Sequence, residues 1–164
     1  MDIIQVLRDE HQHVMNLFEK FDALSEASAK RPVVEELVQQ LMIHEKAEEE
    51  AVYGKVRELL PDPSIIDTAI LEQADIKDQI REIVSETDFE TIAARLMQLR
   101  ERVLDHVATE QSEIFPVLKQ VLNERWCEQL ASDFKTAKAE HMVEFPSLSI
   151  TMAPGMKVEE KRRR

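Results

Sequence analysis

What the chain has little of narrows its architecture. Two glycines in 164 residues leave few places for tight turns, and aromatic residues make up only 5%. Strands joined by hairpins draw on both, so long helices are expected instead. The single cysteine, Cys127, excludes an internal disulfide. It equally excludes a thiolate zinc site or an iron–sulfur cluster built by one chain. No apolar run approaches the ~18 residues of a membrane-spanning helix, so no membrane span is expected. The opening MDIIQVLRDEHQH has no basic region followed by an apolar run and does not read as a secretory leader. By default the expected compartment is the cytoplasm. Positive charge is also in deficit, with 21 Lys and Arg against 33 Asp and Glu and a net charge of −12. That balance argues against affinity for nucleic acid or an anionic membrane.

What is present is helical periodicity. Four main helices are expected: about Asp2 to about Leu24, Pro32 to before Pro61, from after Asp62-Pro63-Ser64 to about Ser85, and Thr87 to about Leu122. Asp2 suits an N-cap, Pro32 a first helical position, and Thr87 with Glu90 a capping box. Pro116 is expected to kink or loosen the last third of the fourth helix. Short connections favour antiparallel neighbours, hence an all-α, up-down-up-down four-helix bundle. A fifth helix, about Asn123 to His141, carries Trp126, Leu130 and Phe134 at helical spacing and is expected to pack outside the bundle. The domain is drawn as 1–145, with a loosely ordered tail from 146 to 164 that ends in KRRR.

Each apolar stripe is interrupted near mid-height. His11 falls between Leu7 and Val14, His44 and Glu48 between Leu41 and Val52, Gln73 between Ile70 and Ile76, and His106 and Glu110 between Val103 and Ile114. Burying such groups without partners costs several kcal/mol or more, so four interruptions call for one cause. A shift of 62 residues carries His11 onto Gln73, His44 onto His106, Glu48 onto Glu110 and Tyr53 onto Phe115. The first two helices thus read as a copy of the next two. In H-x-x-x-E the two side chains share a helix face, and imidazole with carboxylate suits iron, manganese or zinc. A pseudo-two-fold bundle with a carboxylate from each half is a natural cage for two metal ions. Glu45, Glu49 and Glu50 read as a solvated acidic face, and His13 as surface.

On these residues the chain resembles the hemerythrin-like, HHE cation-binding family, whose pattern is a lone His, H-x-x-x-E, a lone His and H-x-x-x-E on successive helices. DEHQHV, HEKAE and HVATE followed by IFP carry the resemblance, which spans about residues 2–122. It implies a non-heme di-iron centre with Glu48 and Glu110 as bridging carboxylates. His11 and His44 would bind one iron, and His106 with the third-helix ligand the other. At that third-helix position the family has His and this chain has Gln73. The second metal is therefore expected to be loosely held, differently coordinated or absent, with Glu113 as a candidate compensating carboxylate. Glu72 and Asp75 are expected to point off the stripe. The resemblance implies a small oxidant as ligand (dioxygen, nitric oxide or peroxide) or a role in handling iron. Members of the family carry or sense dioxygen, respond to nitrosative or oxidative stress, or hold iron. The alternatives are a peroxide-decomposing enzyme and a helical interaction module with a degenerate or mononuclear site.

Overall fold

The computed structural model describes residues 1–144, and the tail expected beyond Pro146 lies outside the described residues. Helix α1 is Ile3–Ala23, begun by Asp2, whose side chain accepts the Ile4 N–H at 2.8 Å. Helix α2 starts at Ala27 and runs to Glu48, then through a π-helical segment, Glu49–Tyr53, and two short turns to Leu59. Helix α3 is Ser64–Ser85. Helix α4 is Phe89–Thr109, continued by a second π segment, Glu110–Ile114, and by Phe115–Val121. Helix α5 is Glu124–Glu144. Among the described residues there is no strand, and no helix is long and apolar enough to cross a membrane. Helices α1 and α2 pack as one pair and α3 and α4 as another, with α2 against α3. The four-helix bundle expected from the sequence is therefore the observed fold.

Three local expectations shift. Helix α2 begins five residues before Pro32, because the Glu26 carbonyl accepts the N–H groups of Ala29 and Lys30 and opens the helix there. Pro32 then costs one bond, to the carbonyl of exposed Ser28, which water can satisfy. Helix α4 is capped by Asp88, not Thr87: its carboxylate accepts both the N–H and the hydroxyl of Thr91. Trp126 is 44% exposed while Leu130 and Phe134 are fully buried. Steps of four overshoot the 3.6-residue turn, so Trp126 has rotated off the face centred on Leu130, Ala131, Phe134 and Ala137.

The π segments answer the same geometry. His44, Glu48, Val52 and Val56 are all buried at four-residue steps, as are His106, Glu110, Ile114 and Leu118. In a straight α-helix each such step drifts about 40°, so four residues could not share one face. The widened π turn, often found at functional sites, takes up that drift. Pro116 falls just beyond the second π segment, where the backbone is already loosened.

The interior is two apolar clusters rather than one. The first gathers Ile3, Leu7, Val52, Ile66, Ile114, Phe115 and the α5 residues Leu130 and Phe134. The second gathers Val14, Phe18, Leu37, Leu41, Ile76, Ile80, Leu96 and Val103. Between them lies a layer of buried polar groups: His11, His44, Glu45, Glu48, Gln73, His106 and Glu110.

Candidate metal centre

All six side chains singled out from the sequence lie in that layer. Relative exposure is 7% for His11, 2% for His44, 1% for His106 and zero for Glu48, Gln73 and Glu110. Glu110 sits between two imidazoles, with Oε2 3.1 Å from Nε2 of His11 and Oε1 3.0 Å from Nε2 of His106. Oε2 of Glu48 is 3.6 Å from Nε2 of His44 and 3.9 Å from Nε2 of His106. Both carboxylates therefore stand between the two halves of the bundle. The His11 and His44 rings meet edge to face at 5.2 Å.

Gln73 reaches the layer as a donor: its Nε2 gives a hydrogen bond to Oε2 of Glu48 at 2.8 Å. Its Oε1 is buried without a hydrogen-bond partner. The Tyr53 hydroxyl donates to Oε1 of Glu110. Phe115, its counterpart in the other half, stacks on His11 at 6.3 Å, and Phe134 of α5 closes on His44 at 5.7 Å.

Sequence reasoning missed three carboxylates. Glu45, solvated to judge by its sequence neighbours, is 2% exposed, with Oε2 3.7 Å from Nε2 of His106. Helix α2 packs against α1, α3 and α5, so more than one stripe of it is buried. Glu113, offered as the compensating group, is exposed, because the widened turn brings Ile114 inward in its place. Glu10 and Glu72 flank the layer from outside: Glu10 faces Nδ1 of His44 at 3.7 Å and Glu72 faces Nδ1 of His106 at 3.8 Å. Glu72 therefore turns back toward the site instead of away from it. A carboxylate behind a ring nitrogen fixes the orientation of an imidazole and raises its basicity as a ligand. A signal for this pair was present, since the 62-residue shift also carries Glu10 onto Glu72. His13 is exposed, as its polar neighbours suggested.

The ionisable groups of the layer are shifted in opposite directions. Burial, together with the negative charge of Glu110, pushes Glu48 well above the usual carboxylate range. Burial raises Glu45 to about 7. Glu110 goes the other way: burial would raise it, but contacts with His106 and His11 prevail and hold it well below. Burial likewise opposes the His106 imidazolium, yet Glu110 and Glu48 push it up to about 12. Burial lowers His44. Both ring nitrogens of His11, His44 and His106, Oε1 of Glu48 and Oε2 of Glu45 and Glu110 are buried with no hydrogen-bond partner. Orphaned buried atoms of this kind are rare, and nitrogen and carboxylate oxygen are the donors that iron, manganese and zinc take. Two groups bring ligand atoms within 4.8 Å of one another: His11, His44 and Glu48, and Glu45, Glu48 and His106. The residues fit a cation, and Glu48 belongs to both groups.

Residues 2–118 match the hemerythrin HHE cation binding domain. The chain belongs to that family. The match ends before α5, although Phe134 of α5 packs against the layer. Over 145 residues this hemerythrin-like chain is also 32% identical to a protein of Nostoc sp. (strain PCC 7120) described as a DNA nickase. The aligned part is 85% of this chain and 40% of that protein. No solved structure matches.

Tyr53→Phe tests how the layer is braced. Deleting the hydroxyl leaves Glu110 without its buried donor, a loss of about 1–3 kcal/mol. For a domain of this size that lowers the melting temperature of the metal-free protein by roughly 2–12 °C, measurable by calorimetry. An unchanged melting temperature would mean that the hydroxyl does not hold Glu110.

Proposed function

We propose that the chain is a non-heme iron protein whose buried layer holds two iron ions and presents them to a small oxidant: dioxygen, nitric oxide or peroxide. The observation that carries this reading is the set of orphaned imidazole nitrogens and carboxylate oxygens, gathered from α1, α2 and α4 into one layer. Iron would supply reversible electron exchange with such a ligand. The side chains supply the rest. His11 and His44 would hold one ion, and His106 would hold the other. Glu48 and Glu110 reach both. Glu10 and Glu72 orient two of the rings from behind, and Phe115 and Phe134 wall the layer against water.

The activity named for the Nostoc protein is not carried over. The aligned region is 40% of that protein, and a net charge of −12 repels a polyanion. The test is anaerobic loading with ferrous iron, followed by elemental analysis and optical spectra before and after dioxygen, nitric oxide or peroxide. Two ions per chain are expected from a cage of this kind, with a charge-transfer band that changes on exposure to at least one oxidant. His44→Ala should lose iron together with the band. A chain that takes up no iron, or a His44→Ala variant that loads like the parent, would overturn the reading.

A further inference from the structure

The two halves of the layer depart from their two-fold relation at two places. Under the 62-residue shift Glu10, His44 and Glu48 fall on Glu72, His106 and Glu110. His11, however, falls on Gln73, and Glu45 falls on Val107. The second half lacks an imidazole where the first has His11, and the extra carboxylate, Glu45, borders His106 of that second half. Oε2 of Glu45 lies 3.7 Å from Nε2 of His106, and that oxygen has no hydrogen-bond partner. Glu45 is 2% exposed, and its ligand atom lies within 4.8 Å of those of Glu48 and His106. Nε2 of Gln73 is engaged with Glu48 and its Oε1 is unpartnered, but an amide oxygen is a neutral and weaker donor than the Glu45 carboxylate.

We propose that Glu45 is the metal ligand that replaces the missing third-helix imidazole, and that Gln73 is a positioning residue that holds Glu48 by hydrogen bond. This rests on the iron-binding reading above and makes the two positions unlike. One has His11 and His44 beside the shared Glu48 and Glu110. The other has His106, Glu45 and the same two shared carboxylates. The second position thus has one imidazole fewer and one negative charge more. Oxygen-rich sites suit manganese, whereas imidazole also suits zinc and iron, so the second position takes manganese more readily than the first.

The test compares iron stoichiometry after anaerobic ferrous loading of the parent, Glu45→Gln and Gln73→Leu, with helicity checked by circular dichroism. Expected are two ions per chain in the parent and in Gln73→Leu, and one in Glu45→Gln. Two ions in both the parent and Glu45→Gln would overturn the role of Glu45 and leave the iron reading standing. One ion in the parent would overturn it too, because no second position would then exist. No iron in the parent would defeat both proposals. Loss of an ion in Gln73→Leu with retention in Glu45→Gln would assign the ligand to Gln73. Should Glu45→Gln fail to fold, anomalous diffraction from iron-loaded parent crystals decides. An ion bonded to the Glu45 carboxylate upholds the proposal, and one bonded to Oε1 of Gln73 with Glu45 uncoordinated overturns it.

Discussion

Loading the chain with iron is expected to raise its melting temperature by roughly 5–16 °C, and Glu110→Ala to abolish the rise. The size follows from mass action: a ligand bound only by the folded state contributes about 2.7 kcal/mol at a hundred times its dissociation constant and about 4.1 kcal/mol at a thousand times. A domain of this length converts each kcal/mol into about 2–4 °C. Glu110 is the decisive position because it faces His11, His106 and Tyr53 at once and is fully buried. The substitution also weakens the metal-free protein. It strands a buried imidazolium, with His106 pushed up to about 12 largely by this carboxylate against the opposing effect of burial. Breaking one side of such a pair costs about 3–5 kcal/mol, a fall of roughly 6–20 °C before any metal is added. Scanning calorimetry with and without ferrous iron separates the two effects. An iron-induced rise that survives in Glu110→Ala would show that the cation binds elsewhere.

Phe134→Ala is expected to destabilise the chain by about 3–5 kcal/mol, the usual cost of emptying a buried phenylalanine site, or roughly 6–20 °C. Phe134 is fully buried although it belongs to α5, beyond the residues the family match covers. It joins the cluster that holds Ile3, Leu7 and Val52, and its ring lies against His44. Helix α5 is therefore a structural part of the domain, tied down further by Lys138, which donates to Glu10. Burial alone would raise Glu10, but the nearby His44 ring and the hydrogen bond from Lys138 prevail and hold it at about 2. The last helix thus reaches the outer carboxylate of one imidazole. A change below about 1 kcal/mol in chemical denaturation would mean that α5 is only loosely docked.

The helices were legible because their signals are local. Asp2 before an apolar-periodic run, Asp62-Pro63-Ser64 before another and the scarcity of glycine required no tertiary knowledge. The layer was legible because polar residues interrupted four stripes at matching heights and repeated at one interval. Glu45 was not, since a charged residue among Lys46, Glu49 and Glu50 looks solvated until the packing around α2 is known. The π segments left a trace that periodicity of 3.6 discards. Three successive steps of four, from His44 to Val56 and again from His106 to Leu118, stay on one face only if the helix is underwound. Trp126 misled for the same reason, because its steps of four lie on a helix that keeps its regular pitch.

The polar sheet across the interior divides the chain's cohesion. Each apolar half draws side chains from α1 to α4, but little apolar contact crosses from one half to the other. Without a cation in that layer, such a protein has two regions free to open separately, which would blur the single cooperative transition of a small domain. A cation bound there would join the helices at mid-length, and the two regions would then melt as one.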